Sequence, residues 1–519
     1  MERPSKPQVA TFVGVLSIYI GVRFWNLTTS CLWFDEIYSV HAAEHSWNTI
    51  FSFVALDLIH PPLFYALLKL WIAIGDESLM WLRVFPVVFA ILAVVPFVLL
   101  CRELRLRNWA TLLGVCLIAV NGSLIKYAQE VRMYSMLMCA SLFAMWLFAR
   151  YLRMGKGIAA LAVVNVLLVY THYFGWLVVL GEAIILCFPT LRNLPPSHMT
   201  SHSLNKRDAK AILATIGIPL ICFAPWIVAA LRAERLGSTL TENIGWMQRP
   251  GFTEIAQFVL NLIEPFYYSA ISLDSPSVYR VSIPLLSLVA ISLIVYFARF
   301  RSVDEKQRTS VKLLTTFVVL PLLFAFIASW ILPYSIWGTR HLVIVFAAVS
   351  IIIANAFIHL PSFKTRTFAL ATVVLFAGYA FLIQVRRPAM EPIWCSFETL
   401  GREMEAERDS PIIVFEDLAA YHLWFAFRKD DQPAEIVKVQ NFPGMTEDTA
   451  YFLPRGFNGV RKVSAEELNY HEMWVMYRSP TNQLAELPVT VMAEKGYVVV
   501  ERKEYDFGYQ KLVGVLLRR

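Results

Sequence analysis

Apolar runs of about 17–22 residues, separated by short polar stretches, recur along the first three quarters of the chain. They fall near residues 8–27, 79–100, 109–126, 133–151, 158–175, 176–193, 211–232, 281–300, 313–332, 341–360 and 366–385, which predicts eleven membrane-spanning helices. Each run is long enough to cross a hydrocarbon core of roughly 30 Å. The first follows MERPSKPQVA with no small-residue cleavage site, so it reads as a retained helix and not as a signal peptide. The run HPPLFYALLKLWIAIG at 60–75 is shorter and carries Lys69. It reads as a juxtamembrane or re-entrant helix at the outer surface, because counting it as a span would invert everything downstream. After Arg387 the pattern changes to short β-like runs at 411–417, 435–439, 473–477 and 497–505, with helical stretches at 397–408 and 417–427 between them.

The polar stretches fix an orientation. With the N-terminus inside, the loops at 101–108, 150–157, 191–210, 299–312 and 361–366 are cytoplasmic, and every one is rich in Lys or Arg. Arg232 with Arg235, and Arg386 with Arg387, lean the other way and are outnumbered. The outer face then receives WFDE (33–36), DLIHPP (57–62), KYAQEVRMY (126–134), THYFGW (171–176) and PYSIWGTRH (333–341). Polar clusters at membrane depth are costly, so several on one face are candidates for function. The domain reading is a transmembrane catalytic domain over 1–387, with 28–78 as its first external loop, and a soluble α/β domain over 388–519 on the same outer side.

Composition agrees with the class and narrows the chemistry. Hydrophobic residues make up 57% and charged residues only 16%, which excludes an ordinary soluble domain. The net charge of +7 is dispersed loop by loop, suiting anionic lipid headgroups and giving no nucleic-acid surface. The seven cysteines are scattered without CxxC or Cys/His metal spacing, so neither a zinc site nor a disulfide framework is expected. Cys31 and Cys395 share a compartment on this topology and are expected to stay unpaired. The C-terminal region shows no Gly-rich phosphate loop and no catalytic motif, and Asn26 and Asn121 lie too close to spans to be glycosylation acceptors.

WFDE after the first span, then D..HPPLFY, then YAQEVRMYS, in that order and on one face, resembles the GT-C glycosyltransferases. More narrowly, the pattern is similar to the bacterial branch related to protein O-mannosyltransferases and lipid A aminoarabinose transferases. The likeness is strongest over 1–190 and mainly architectural to about 385. It implies a polyprenyl-phosphate sugar as donor, an external glycolipid, glycan or protein acceptor, and inversion at the anomeric carbon in a bacterial inner membrane. Asp35 then corresponds to the catalytic base, Glu36 to the second acid of the pair, and Arg340 to a basic residue that holds the lipid phosphate.

The residues themselves suit such a transfer, which needs a base, a cation for the departing phosphate and an aligned acceptor. Asp35, beside Trp33 and Phe34, would be partly desolvated and so a stronger base; the alternative is that it caps a helix. Asp57 and His60 either bind the donor phosphate, hold a divalent cation, or only fix loop geometry. Lys126, Gln129, Glu130, Arg132 and Tyr134 supply a polar helix, with Glu130 and Tyr134 on one face and Gln129 and Arg132 on another. Arg132 offers a planar fork to a phosphate, against an ion pair with Glu130. Arg340 either stabilises the leaving group or snorkels, and His172 with Tyr173 either lines the sugar pocket or is structural. Glu182, inside a span, has no partner in the sequence. No particular cofactor is indicated, and a divalent cation stays open. Two other classes stay open, a lipid-sugar flippase and a non-catalytic lipid-sugar-binding protein; a transporter would show an inverted repeat, and none is evident.

Overall fold

In the computed structural model, residues 5–188, 206–235, 240, 244–245, 247–266, 278–300, 303–386, 392–407, 410–442, 453–455, 457–480, 487–508 and 510–519 are described. Most of the expected cytoplasmic loop at 191–210, and Arg387, lie outside these residues. The chain divides into two compact units, Met1–Leu27 with Ser46–Pro388, and Thr28–His45 with Ala389–Arg519. The expected boundary assigned the whole of 28–78 to the membrane domain; its first part instead packs with the C-terminal residues.

The first unit is helical, as the apolar runs require. Its opening helices are α1 (Lys6–Phe24), then, after the excursion into the second unit through α2 (Phe34–Glu44), α3 (Ile50–Asp57) and α4 (Leu63–Ile74). There follow α5 (Leu79–Leu92), α6 (Val94–Glu103), α7 (Asn108–Val120), α8 (Gly122–Gln129), α9 (Tyr134–Met154), α10 (Ile158–Thr171) and α11 (Gly175–Cys187). Among the described residues eight helices are long and apolar enough to cross a membrane: Lys6–Phe24, Leu79–Glu103, Tyr134–Met154, Ala209–Arg235, Tyr279–Ala298, Gln307–Ile331, His341–Ile358 and Phe363–Arg386. The other three expected spans are the shorter α7, α10 and α11, of 13, 14 and 13 residues. At 1.5 Å per residue each covers only about 20 Å, so helix length does not establish the expected count of eleven. The 60–75 run forms α4, entered through Pro61 and Pro62.

Two breaks depart from the hydropathy reading. The run 109–126 is split at Asn121, whose side-chain oxygen accepts the Leu124 N–H (2.9 Å) and caps α8. Its amide donates to the carbonyls of Asn261 and Leu262 at 3.0 and 3.1 Å. The stretch 126–134 is not one helix either: α8 ends at Gln129 and Glu130 is extended, so the expected shared faces for Glu130 with Tyr134 and Gln129 with Arg132 do not exist. A buried arginine in the first span fixes the helix ends nearby. Arg23 donates to the carbonyls of Ile118 and Ala119 (2.9 and 3.1 Å), placing a cation at the negative end of α7.

The second unit holds a six-stranded sheet of β1 (Ile412–Val414), β2 (Ile436–Gln440), β3 (Arg461–Ser464), β4 (Glu472–Pro480), β5 (Val498–Asp506) and β6 (Gln510–Arg518). The order is β3-β2-β1-β4-β6-β5, parallel from β3 to β4 and antiparallel where β6 meets β4 and β5. Its core is built from Ile413, Val437, Val475, Val513 and Val515, all unexposed. Contrary to expectation, Cys31 and Cys395 form a disulfide across 364 residues of sequence.

Candidate functional site

Four of the motifs expected on the outer face bring polar side chains to one buried cluster in the first unit. Helix α3 stops at Asp57, Leu58 adopts a left-handed backbone (φ 60°), and His60 turns inward to 3% exposure. Arg132, in the break between α8 and α9, is likewise 3% exposed. Its guanidinium lies 3.3 and 3.4 Å from the two ring nitrogens of His60 and donates to the Tyr65 hydroxyl at 3.4 Å. The His172 ring sits 5.2 Å from that of His60, and His341 lies 5.3 Å beyond His172. Arg340, half-buried, immediately precedes His341. Asp57 approaches His60 at 3.7 Å.

The electrostatics follow from that placement. Burial pushes the His60 pKa well below its ordinary value, and the positive charges of Arg132 and Arg340 push it further. Burial likewise takes His172 down to about 3, again reinforced by Arg132 and Arg340. Both rings are therefore neutral, and the cluster's positive charge is carried by the guanidiniums.

His172 sits in the tight turn between α10 and α11, and its Nδ1 accepts the Phe174 N–H at 3.0 Å. The one proton of the neutral ring is then on Nε2, a buried atom without a hydrogen-bond partner among the described residues. The turn is held close by Gly175, where a Cβ would come within 2.7 Å of the Leu168 carbonyl oxygen.

His172 and His341 also line a cavity of about 290 Å³ whose other walls include Tyr173, Phe174, Trp176 and Phe324. That is a mostly apolar chamber with polar groups gathered at one place, the usual build of a ligand site. A second cavity of about 640 Å³ is lined by Phe51, Tyr170, Trp226 and Arg232. The Trp226 indole N–H donates to the Tyr173 hydroxyl (3.0 Å), joining one wall of each.

The remaining candidates have other surroundings. Lys126 is exposed and pairs with Glu130 at 3.8 Å. Gln129 donates to the carbonyls of Arg23 and Trp25 at 3.0 and 2.8 Å, securing the end of α1. The buried Tyr134 ring packs on Tyr127 at 5.3 Å. Asp35 and Glu36 belong to the second unit, at the start of α2. Trp33, not Asp35, is the helix N-cap; Glu36, fully buried, accepts the Trp33 N–H at 3.1 Å, which is the carboxylate half of a capping box. Asp35 itself, at the second helical position, is only half-buried.

Sequence reasoning gave no role to His341 or Tyr65, and the only signal was their position inside GTRH and HPPLFY. Glu182 does have a partner, the Asn165 amide at 2.6 Å. The residues at Asp57 and His60 do not fit a divalent cation, because Arg132 already places a positive charge against both His60 nitrogens. Among the described residues no group of three or more His, Cys, Asp or Glu is arranged to hold a metal.

No family model matches the chain. Protein O-mannosyltransferase 1 of Drosophila pseudoobscura pseudoobscura is 25% identical over 226 residues, which is 39% of this chain and 24% of that protein's length. Two solved structures of ArnT from Cupriavidus metallidurans are similar over almost the whole of both chains. The apo form superposes with a TM-score of 0.58 at 13% identity, covering 97% of each. The form bound to undecaprenyl phosphate gives 0.57 at 11% identity, covering 98% of each.

Proposed function

We propose that this chain, which has the GT-C glycosyltransferase fold, moves a sugar from a polyprenyl-phosphate donor to a hydroxyl of an envelope glycolipid, glycan or protein on the outer face of the membrane. The observation that carries the proposal is the buried Arg132 set against neutral imidazoles, beside a cavity with apolar walls. A fixed guanidinium and an unpartnered Nε2–H of His172 suit the phosphate of a donor, and the aromatic and aliphatic walls suit its sugar and lipid. The likeness to protein O-mannosyltransferase 1 and to ArnT supports the same class.

In this reading Asp35 accepts the proton of the acceptor hydroxyl while its oxygen attacks the anomeric carbon. The bond from that carbon to the phosphate oxygen breaks on the opposite side, inverting the centre, and the phosphate leaves with the electron pair. Arg132 and Arg340 balance its charge, and His172 donates a hydrogen bond to it. Glu36 acts by holding the helix that carries Asp35.

The test is purified protein with a panel of polyprenyl-phosphate sugars and candidate acceptors, comparing the native chain with Asp35→Asn. The substitution is expected to abolish transfer while leaving abundance and membrane insertion unchanged. Undiminished transfer in Asp35→Asn would remove Asp35 from the base role, and inactivity of the native chain with every donor would sink the transferase reading.

A further inference from the structure

The second unit contains no catalytic motif of its own, yet the segment bearing Asp35 is built into it. Helix α2 is tied to the C-terminal residues at its start, its middle and its end. Three residues before the helix, Cys31 is bonded to Cys395, and the Cys31 N–H also points at the Cys395 sulfur (3.1 Å). In the first turn the Phe34 ring packs against Tyr421 at 5.2 Å. Midway, His41 Nδ1 meets the Tyr421 hydroxyl at 2.8 Å, and Tyr421 is fully buried. Burial drives the His41 pKa down to about 3, so the ring is neutral and the hydroxyl has an acceptor. In the last residue, Glu44 receives two donors of Arg428, Nε at 3.0 Å and Nη2 at 2.6 Å.

These partners are separated in sequence by 364, 380 and 384 residues, so none of the ties is a local consequence of helix formation. The helix alone is 11 residues, too short to be stable in isolation. It keeps its shape and place because residues 389–519 supply a covalent bond, a buried hydrogen bond and a forked ion pair. We propose that residues 389–519 serve as a positioning frame for Asp35, with Cys31–Cys395 and Glu44–Arg428 as the positioning pairs that clamp the two ends of its helix. The proposal rests on the assignment of Asp35 as base. It gives the C-terminal unit a task that its sequence does not display: holding a carboxylate where a misplacement of about 1 Å costs on the order of 100-fold in rate.

The experiment uses the full-length protein in Glu44→Ala, Arg428→Ala, Cys395→Ser and the charge-swapped double variant Glu44→Arg with Arg428→Glu. Transfer from a polyprenyl-phosphate sugar gives kcat and KM, and amide hydrogen exchange follows residues 34–44. The three single substitutions are expected to lower kcat by about 10- to 100-fold and to speed exchange in 34–44. Donor KM should stay within about twofold, because Arg132, His60 and His172 belong to the other unit. The swapped pair is expected to recover most of the lost kcat and of the exchange protection. Variants with native kcat would overturn the proposal, as would a fall in kcat no larger than the measured loss of folded protein, because general unfolding lowers the active fraction at unchanged KM. An active native chain with unaffected variants removes only the positioning role, whereas a native chain inactive with every donor removes the transferase reading and the positioning role together.

Discussion

Replacing Arg132 by alanine isolates the charge on which the donor assignment depends. Arg132 is 3% exposed, and its contacts to His60 and Tyr65 are long, 3.3–3.4 Å. Those contacts are between a cation and neutral groups, so an anion would be a stronger partner for the guanidinium than either of them. A hydrogen bond from a charged donor contributes about 1.5–3 kcal/mol, and more where the site is dry. At about 1.4 kcal/mol per factor of ten, Arg132→Ala is expected to weaken binding of a polyprenyl phosphate by about 10- to 150-fold. Arg132→Lys keeps the charge but loses the planar fork, and is expected to fall between the two. The alanine also leaves a hole beside His60 and removes a donor from Tyr65, at a further cost to the fold of about 1–3 kcal/mol. The assay is therefore calorimetric titration of purified protein with polyprenyl phosphate at a temperature well below unfolding, with the folded fraction checked for each variant. Because the group is buried, raising the salt concentration should narrow the difference little. If Arg132→Ala binds polyprenyl phosphate within twofold of the native protein, the cluster is not the phosphate site.

The other two predictions concern stability and the shape of the same site. In the second unit, burial lowers His41 and His422 from 6.5 to about 3, so the unfolded chain takes up protons below pH 6.5 while the folded unit does not. Stability from these groups is complete above pH 6.5 and is lost as pH falls toward 3. At about 1.4 kcal/mol per unit for each group, moving from pH 7.5 to 5.5 should cost about 3 kcal/mol, and His422→Gln should flatten the slope in thermal melts; an unchanged melting point across that range would contradict it. Gly175→Ala places a methyl 2.7 Å from the Leu168 carbonyl oxygen, so the turn carrying His172 must move. It is expected to cost about 1–3 kcal/mol and to weaken donor binding, whereas Gly14→Ala, with nothing within 4 Å, should do neither. Equal behaviour of the two variants in binding and melting would show that the turn's close packing does not shape the site.

Hydropathy was enough to find a helix for every expected span, because a long apolar run in a membrane can satisfy its backbone in few other ways. It could not find the breaks at Asn121 and Glu130, which depend on an Asn side chain reaching carbonyls 140 residues away and on an extended residue between two helices. The strands at 411–417, 435–439, 473–477 and 497–505 were legible as short β-branched runs. β3 and β6 were not among those runs; β3, RKVS, is only four residues and mostly polar. Motif order gathered Asp57, His60, Arg132, His172 and Arg340 on one face. What it could not supply was the distances that join His60 and Arg132 to His172 while sending Gln129 to the end of α1. The Glu182–Asn165 pair, 17 residues apart on two helices, was hidden for the same reason.

The Cys31–Cys395 bond bears on a question that helix length leaves open. Two bonded cysteines lie on one side of a membrane, the side where disulfides persist, so the chain between them crosses an even number of times. Seven of the eight long apolar helices fall between residues 31 and 395, and seven crossings alone would put the sulfurs on opposite faces. Among the described residues, an odd number of the shorter apolar helices α4, α7, α10 and α11 then completes a crossing. Counting α7, α10 and α11 adds three and restores the match; counting α4 as well adds four and breaks it. Eleven spans with α4 at the surface satisfy that parity, and so does any arrangement that counts one or three of the four shorter helices. The choice among these arrangements rests on the Lys and Arg bias in the loops, a line of argument that shares no residue with the sulfur bond.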